Sequence, residues 1–491
     1  MKLWLLNCPP RSLSKFLTLL VLVTLLSVQF PISVKAQEEV LGDSTAFSGD
    51  QQSLLVVKPA VVQITNIITG ELILQSAAAT QLNAPQLTGR SYEFTIGFTG
   101  SGFFINPDGH LITNGHVAKP ENDLIAYYGL AQTSEQILKD AIYYTAQANY
   151  GYTPSEAEIE EAYQYTLTST YGGSYDAMVE DIYTTDYKGG NIEMDSVKNN
   201  NYIQTGSVSG TKKTVEEQGE AATLVDSSYV GDFDSKDLAL LKVSGSNFPT
   251  AELGSFENVQ IGKEVYAIGY PGIVESGTGT FTDVESGLEP SITKGIISAK
   301  KTLVDGTEAF QTDAGISHGN SGGPVVDNSG KVIGVATWSF GDNPGGESFN
   351  FLISVEQIQS LLSKNNIKAE SSVTTQRWSE GLDLYSDECY SDAKDKFEAS
   401  KNLYAGNVDA DDFISNSQSK IENGEDLCVS DSDMLIFIGV IVCCVLAIGG
   451  TGALIFFVVI KKKKGKKSST EVKTEEKAEV KKEEKKEEVK V

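Results

Sequence analysis

Cysteine and histidine are scarce in this chain of 491 residues, which has five cysteines and three histidines. It contains no CxxC pair and no cluster of metal-binding residue types, so we expect no metal site and no cofactor. Five cysteines are also too few for a disulfide scaffold. Cys8 lies near the N-terminus, and Cys443 and Cys444 lie in a long apolar run. Cys389 and Cys428 are therefore left as the candidate disulfide if the chain is exported.

Basic residues are also in short supply, with 39 lysines and arginines against 66 acidic residues and a formal net charge of -27. The two ends of the chain are basic, so the acidic excess falls on its middle. A strongly acidic surface repels a phosphate backbone, which argues against nucleic acid as a partner. The charge does not fix the oligomeric state, and a homo-oligomer stays open.

The N-terminal residues 1–36 have the pattern of a secretory signal peptide. Basic residues precede an apolar run at 16–28, and Ala36 suits cleavage before Gln37. An uncleaved N-terminal anchor is the alternative, but the run is shorter than the ~20 residues needed to cross a bilayer. Residues 37–53 are polar and are predicted to form a linker.

Residues 434–460 carry no charge and are followed at once by four lysines at 461–464. A run of this length can cross a hydrocarbon core of ~30 Å, and a basic flank is typical of the cytoplasmic side. The sequence therefore predicts a transmembrane helix at 434–460 and a cytoplasmic Lys/Glu-rich tail at 461–491. The predicted location is the cell membrane, as a single-pass type I protein with residues 37–433 outside the cytoplasm.

Short runs of β-branched, aromatic and aliphatic residues begin at about residue 54, separated by Gly, Pro, Asn and Asp. Many short strands with turn signals predict a barrel or a sandwich, so the expected fold class is mainly β. The predicted strands are 54–64, 92–96, 102–105, 111–113, 238–243, 265–268, 331–336 and 349–353.

Two stretches break the β pattern. Residues 119–220 have helical spacing around 137–142, a capping-box pattern that starts at Thr153, and many tyrosines. We interpret them as a helical insertion whose tyrosines either pack its own helices or form a contact surface. Residues 368–430 are also helical in pattern, and form either a tetratricopeptide-like (TPR-like) helix pair or a helical stalk.

A glycine-rich loop surrounds Ser321 in the sequence Gly319-Asn320-Ser321-Gly322-Gly323-Pro324. A serine nucleophile needs a tight turn of this kind, which exposes its hydroxyl and brings backbone N–H groups towards a developing oxyanion. A serine between glycines is common in protein loops, so this pattern indicates a nucleophile only if a general base and an orienting acid are also found.

Two further residues complete a pattern for acyl transfer. His116 follows a strand, hairpin and strand at 100–113, where a general base would be presented, whereas His110 lies in the turn. Asp237 directly precedes the apolar run 238–243, so its carboxylate can be buried against an imidazole; Asp234 is the competing candidate. The chain order His, Asp, Ser is that of the chymotrypsin fold.

At these residues the chain resembles the trypsin-like serine proteases of the HtrA/Deg group, which implies a chymotrypsin-like double β-barrel. The resemblance covers about 55–118 and 221–360, including Val57-Lys58-Pro59-Ala60-Val61-Val62, Leu253-Gly254-Ser255, Ile268-Gly269-Tyr270-Pro271, Thr293-Lys294-Gly295-Ile296-Ile297-Ser298 and Gly334-Val335. It implies a protease domain at 54–367 that contains the insertion. Members of the group commonly carry PDZ domains, but none is recognisable in 368–430.

The resemblance also implies the roles of individual residues. His116 would be the general base, Asp237 the acid that orients it, and Ser321 the nucleophile. The backbone N–H groups of Gly319 and Ser321 would form the oxyanion hole. The primary substrate pocket would have Gly315 at its floor and Ala336, Thr337 and Trp338 along its wall, which favours small or aliphatic side chains. His318 falls in the oxyanion loop, as a solvent-facing or a pH-sensitive residue.

The function implied is that of a membrane-anchored serine endopeptidase, which cleaves exported or misfolded proteins through a Ser-His-Asp triad and an acyl-enzyme. Its partners would be protein or peptide substrates and the membrane. The alternative is a catalytically silent receptor or scaffold that uses the protease fold to bind partner proteins. In either case we expect the insertion to lie over or beside the cleft and the barrel to survive removal of residues 122–218.

Overall fold

The computed structural model describes residues 47–428, apart from 205–211, 232–235, 256, 258, 271–289, 317–318 and 341–348. The predicted signal peptide, transmembrane helix and cytoplasmic tail lie outside the described residues, as do Asp234 and His318. Within the described part of the chain, no helix is both long enough and apolar enough to cross a membrane. The longest described helix, Asn122–Tyr150, has 29 residues, but acidic and basic side chains interrupt it.

The first of two closed barrels has six antiparallel strands in the order β1-β2-β3-β6-β5-β4. They are β1 (Val61–Leu74), β2 (Ser91–Phe104), β3 (His110–Thr113), β4 (Ile192–Gln204), β5 (Glu220–Ser227) and β6 (Ala239–Val243). Side chains of Ile64, Phe104, Leu111 and Leu241 are fully buried inside it. The predicted runs correspond to β1, β2, β3 and β6, which carry most of the buried apolar side chains, whereas β4 and β5 were not predicted.

The second closed barrel has the order β10-β11-β12-β9-β8-β7. Its strands are β7 (Glu264–Gly269), β8 (Ser291–Thr302), β9 (Glu308–Thr312), β10 (Pro324–Asp327), β11 (Val332–Phe340) and β12 (Phe349–Ser354). A buried cluster that includes Phe103, Ile112, Ile268 and Val326 contains side chains from both barrels. The predicted double β-barrel is therefore confirmed.

The described helices frame the two barrels. They are α1 (Gly49–Val57), α2 (Ser76–Gln81), α3 (Gly115–Ala118), α4 (Asn122–Tyr150), α5 (Glu156–Tyr171), α6 (Tyr175–Ile182), α7 (Lys212–Gln218), α8 (Val355–Lys364), α9 (Val373–Ser386), α10 (Tyr390–Leu403) and α11 (Ala410–Glu422).

The predictions of a linker to residue 53 and a strand from residue 54 are wrong at α1. Ser48 begins this helix with a capping box to Gln51, and Leu54 and Val57 are its buried residues.

The prediction of a helical insertion over 119–220 is correct for only part of that range. Helices α4 to α6 and a short turn, Tyr183–Tyr187, occupy 122–187, but β4 then pairs with β1 and β5 as a strand of the first barrel. The helices pack on the outside of β1 and β2, where Gly129 lies against the ring of Phe94. The expectation that the barrel survives loss of 122–218 is therefore wrong, because this range includes a strand that closes it.

The last three helices, α9 to α11, pack on one another in sequence order around Trp378, Tyr390 and Phe397. Gly381 allows the close approach of α9 and α10, since a Cβ there would lie 2.5 Å from the Phe397 ring. A disulfide joins Cys389 to Cys428. The resemblance of these helices to a TPR pair stays a prediction.

Helix α1 fastens this C-terminal group to the start of the first barrel. The indole Nε1 of Trp378 donates a hydrogen bond to the carbonyl oxygen of Leu55 at 2.7 Å. Lys58, just before β1, forms an ion pair with Asp409 at 2.7 Å, and both side chains are largely buried. The two ends of the described chain are therefore in direct contact.

Candidate active site

His116 lies on the one-turn helix α3, directly after β3, at the edge of the first barrel. Its side chain is 26% exposed, so it is accessible while still held by the protein. Its backbone N–H donates to Oδ1 of Asp237 at 2.9 Å, and its Nδ1 lies 2.6 Å from Oδ2 of the same carboxylate. A carboxylate can only accept, so we assign the proton to Nδ1, which leaves Nε2 able to accept a proton.

Asp237 is 1% exposed and directly precedes the buried strand β6. Besides His116, its Oδ2 accepts a hydrogen bond from Oγ1 of Thr337 at 2.8 Å. Its backbone carbonyl accepts from Nδ2 of Asn114 at 2.7 Å. Side chains from both barrels therefore surround this one acidic residue.

Burial alone would raise the pKa of Asp237, but the charge of His116 and the hydrogen bonds from His116 and Thr337 outweigh it and lower the pKa below the ordinary 3.8. A carboxyl group whose pKa is lowered by folding stabilises the fold at pH values above its unfolded pKa. This stabilisation is lost as the pH falls through the lowered pKa. Asp237 is therefore ionised at neutral pH, as an acid that orients a histidine must be.

Ser321 lies in the turn before β10 of the second barrel. Its Oγ donates a hydrogen bond to the carbonyl oxygen of Thr337 at 3.2 Å. Thr337 thus contacts Ser321 through its carbonyl and Asp237 through its hydroxyl. Of the three residues predicted from the motifs, His116 and Asp237 are in direct contact, and Ser321 is linked to Asp237 through Thr337, to which the serine hydroxyl is bonded in this state.

The Ser321 turn is fixed where the two barrels meet. The backbone N–H of Ser101, on β2, donates to the carbonyl oxygen of Ser321 at 2.8 Å, and Oγ of Ser101 donates to the carbonyl of Gly319 at 2.6 Å. Gly322 has a φ of +88°, and a Cβ there would lie 2.1 Å from the Ser101 carbonyl oxygen. Only glycine fits at this point, which explains the residue after the serine.

The N–H groups next to Ser321 divide into two sets. Those of Gly322 and Gly323 donate to the carbonyls of Ala336 and Asn320. Among the described residues, no acceptor is bonded to the N–H groups of Gly319 and Ser321, and Gly319 has a φ of +96°. These two donors are the ones that the resemblance proposes for an oxyanion hole.

The four residues predicted to form the substrate pocket have different surroundings. Gly315 is exposed, and its carbonyl accepts from Oγ1 of Thr293 at 2.7 Å. Trp338 stacks on Phe351 with ring centroids 5.7 Å apart. The side chain of Ala336 packs inside the second barrel and that of Thr337 is bonded to Asp237. The pocket of Gly315, Ala336, Thr337 and Trp338 stays a prediction, in which Ala336 and Thr337 would contact a substrate through their backbone.

Three residues that hold the site, Thr337, Asn114 and Ser101, were not predicted to do so. Thr337 was predicted to line the substrate pocket, and Ser101, in the segment 100–113, and Asn114, two residues before His116, were given no role. Their roles depend on contacts with residues 100 or more positions away, such as Thr337 with Asp237. The available signal was the presence of two short polar side chains, Ser101 and Asn114, close to His116 in the sequence.

Comparison with known proteins identifies the class of this domain. A family profile described as "Trypsin-like peptidase domain" matches residues 100–335. The chain contains a trypsin-like serine protease domain related to the HtrA/Deg group. The match includes His116, Asp237 and Ser321, and it ends two residues before Thr337.

Two relatives that match part of this chain in sequence are described as serine endoproteases. The chain is 38% identical over 130 residues to "Probable periplasmic serine endoprotease DegP-like" from Pseudomonas putida (strain W619), which covers 26% of this chain and 24% of that protein. It is 34% identical over 148 residues to "Serine endoprotease DegS" from Haemophilus influenzae, covering 29% and 39%. A solved structure, "HtrA-type protease AlgW with decapeptide", has a TM-score of 0.33 and 19% identity, covering 65% of this chain and 67% of that one.

The predicted location needs correction. The DegP-like relative is named as periplasmic, and within 47–428, apart from its undescribed gaps, no helix is long and apolar enough to cross a membrane. On these findings the prediction of a single-pass type I protein in the cell membrane is wrong. The apolar run at 434–460, on which it rested, lies outside the described residues.

Proposed function

We propose that this chain is a serine endopeptidase that hydrolyses peptide bonds of protein substrates, with Ser321 as nucleophile, His116 as general base and Asp237 as the acid that orients the base. The observation that carries the proposal is the buried Asp237, bonded to His116 at 2.6 Å and linked through Thr337 to Ser321. Burying a carboxylate costs free energy unless the group is paired and hydrogen-bonded, as Asp237 is. Buried titratable pairs of this kind cluster at functional sites.

The first half of the reaction forms an acyl-enzyme. Rotation of the Ser321 hydroxyl from the Thr337 carbonyl to Nε2 of His116 prepares the nucleophile. As Ser321 Oγ bonds to the substrate carbonyl carbon, its proton passes to Nε2, and Asp237 stabilises the imidazolium. The imidazolium then gives that proton to the leaving amine as the peptide bond breaks.

The second half releases the new carboxyl group. Water gives a proton to Nε2 of His116 and its oxygen bonds to the acyl carbon, after which the Ser321 ester bond breaks and Oγ regains its proton. In both halves the N–H groups of Gly319 and Ser321 would donate to the negative oxygen of the tetrahedral intermediate. No cofactor enters this scheme.

The proposed substrates are exported or misfolded proteins with small or aliphatic side chains before the cleaved bond. Gly315, Ala336, Thr337 and Trp338 remain the proposed residues of the pocket. The proposed domains are the protease domain at 54–367 and a TPR-like helical segment at 368–430. The matched stretch spans only about a quarter of the DegP-like relative, 24% of its length, so the activity of the whole protein rests on this proposal.

The direct test is to incubate the purified full chain with unfolded casein, beside a Ser321→Ala variant, and to label both with a fluorophosphonate. We expect the wild type to cleave casein and to take up one label per chain at Ser321, because the probe reacts with a serine activated by histidine. A wild type that neither cleaves casein nor takes up the label would favour the silent scaffold, for which the bond from Ser321 to the Thr337 carbonyl is the supporting observation.

The Thr337 hydroxyl gives a smaller and separate prediction. Thr337→Val removes one donor from the Asp237 carboxylate and nearly conserves side-chain volume, so we expect kcat/KM for a peptide substrate to fall about ten-fold. Thr337→Ser keeps the hydroxyl and should retain most of the activity. A valine variant with the wild-type kcat/KM would show that this hydrogen bond has no part in catalysis.

A further inference from the structure

The helix that carries His116 is only one turn long, and its end is buried. A helix leaves its last carbonyl groups without partners inside the helix, so α3 depends on its surroundings to bond them. The carbonyl of Gly115 accepts from the N–H of Lys119 at 2.8 Å. The carbonyls of Val117 and Ala118 instead face side chains of the first barrel.

Three asparagine amides bond these two carbonyls. Nδ2 of Asn66 donates to the carbonyl of Val117 at 2.9 Å. Nδ2 of Asn201 and Nδ2 of Asn199 both donate to the carbonyl of Ala118, at 3.0 and 3.2 Å. Asn66 is completely buried and Asn201 is 6% exposed, so water does not readily replace either donor.

The three amides come from adjacent strands. Asn66 of β1 is the cross-strand partner of Asn201 of β4, and Asn199 lies two residues earlier on the same strand. Residues two apart on a strand point to the same face, so Asn199 and Asn201 reach one carbonyl together. Strand β4 follows the helical insertion, which therefore leads directly into residues that contact α3.

We propose that Asn66, Asn199 and Asn201 are positioning residues that keep α3, and with it the His116 imidazole, in register with Asp237. The inference rests on the proposed role of His116 as general base. Asp237 holds the histidine itself, through its backbone N–H and its Nδ1. The amides hold the other end of the same turn, so the ring is fixed from two directions.

The test compares the double variant Asn66→Leu/Asn201→Leu with the wild-type full chain. Leucine is close to asparagine in size but has no donor, so α3 loses its support while the barrel keeps its volume. We expect kcat for a peptide substrate to fall about a hundred-fold with KM changed by less than about two-fold, as misplacement of a catalytic group by about 1 Å can cost that much. Asn200→Leu, an exposed residue on the same strand, is the matched control and should be unchanged.

A spectroscopic readout separates positioning from stability. The proton between His116 Nδ1 and Asp237 should give a low-field proton resonance in the wild type, and with three histidines in the chain it can be assigned by His116→Ala. We expect this resonance to be broadened or lost in the double variant at temperatures where circular dichroism shows it folded. If the double variant does not fold, Asn199→Ala, at a more exposed site, should lower kcat a few-fold and shift the same resonance.

The outcomes distinguish this inference from the proposed function. Folded variants with wild-type kcat and an unchanged His116 resonance would overturn the inference. A wild type without any peptidase activity, but with a resonance that the double variant loses, would reject the proposed function while supporting the positioning of His116. Loss of activity in Asn200→Leu equal to that in the double variant would show that the strand as a whole, and not the three amides, matters.

Discussion

Ser321→Ala is expected to lower turnover of a peptide substrate roughly a million-fold, and His116→Ala by a similar factor, because attack and proton transfer act as one unit. For the same reason the double variant should lose no more than either single variant. Both side chains lie at the meeting of the two barrels and neither fills a core cavity, so the variants should fold. The measurement is kcat from single-turnover and steady-state assays.

Matched controls exist for both substitutions. Ser363→Ala changes an exposed serine on α8, and His110→Ala changes a histidine bonded to Asn106 away from Asp237. Both should keep wild-type turnover. Casein cleavage by Ser321→Ala at the wild-type rate would mean that another group, or a contaminating protease, performs the reaction.

Replacing residues 122–218 with a short Gly/Ser linker is expected to abolish folding, whereas replacing only 122–187 should leave a folded barrel of reduced stability. The longer replacement removes β4, whose pairing with β1 and β5 closes the first barrel. The shorter one removes helices α4 to α6 and uncovers an apolar face around Phe94 and Ile68. Each large side chain that loses its cover costs about 1.5–3 kcal/mol.

Thermal unfolding followed by far-ultraviolet circular dichroism distinguishes the two variants. The longer replacement should show no cooperative transition, and the shorter one a transition at a lower temperature with increased binding of a hydrophobic dye. A cooperative transition at the wild-type temperature in the longer replacement would show that β4 is not needed to close the barrel.

Seven of the twelve described strands overlap the predicted runs, but β4, β5, β8, β9 and β10 were not predicted, and β4 is the clearest case. Its sequence, Ile192–Gln204, holds three consecutive asparagines, and its middle is exposed on both faces, so it lacks the apolar alternation by which a strand is recognised. It is a strand because it pairs with β1, more than 100 residues away in the sequence. Pairing at that distance leaves no local signal.

The prediction at helix α1 was wrong for a related reason. The run Leu54–Val57 is aliphatic and β-branched, which favours a strand when it is read alone. The capping box of Ser48 and the packing of Leu55 beside Trp378 make it a helix. A local capping signal and contacts with residues over 300 positions away together outweighed the strand preference of the run.

The site was more predictable than the fold around it, because the spacing of residues near His116, Asp237 and Ser321 is dictated by local geometry. A glycine must follow the serine, since Gly322 approaches the Ser101 carbonyl closely. The residues that support His116, Asp237 and Ser321 were not predictable in the same way. Thr337 and the asparagines bond to residues that are distant in the sequence. The sequence around a short polar residue in a strand does not indicate which distant residue it will contact.

The contact between α1 and the C-terminal helices has a consequence for biosynthesis. Lys58 and Leu55, just before the first strand of the first barrel, bond to Asp409 and Trp378. A ribosome must therefore add about 350 residues before the start of the barrel can make these bonds, and contacts so distant in sequence slow folding. We expect the nascent protease domain to complete its structure only after the C-terminal helices have emerged, so the enzyme would mature at the end of its own synthesis.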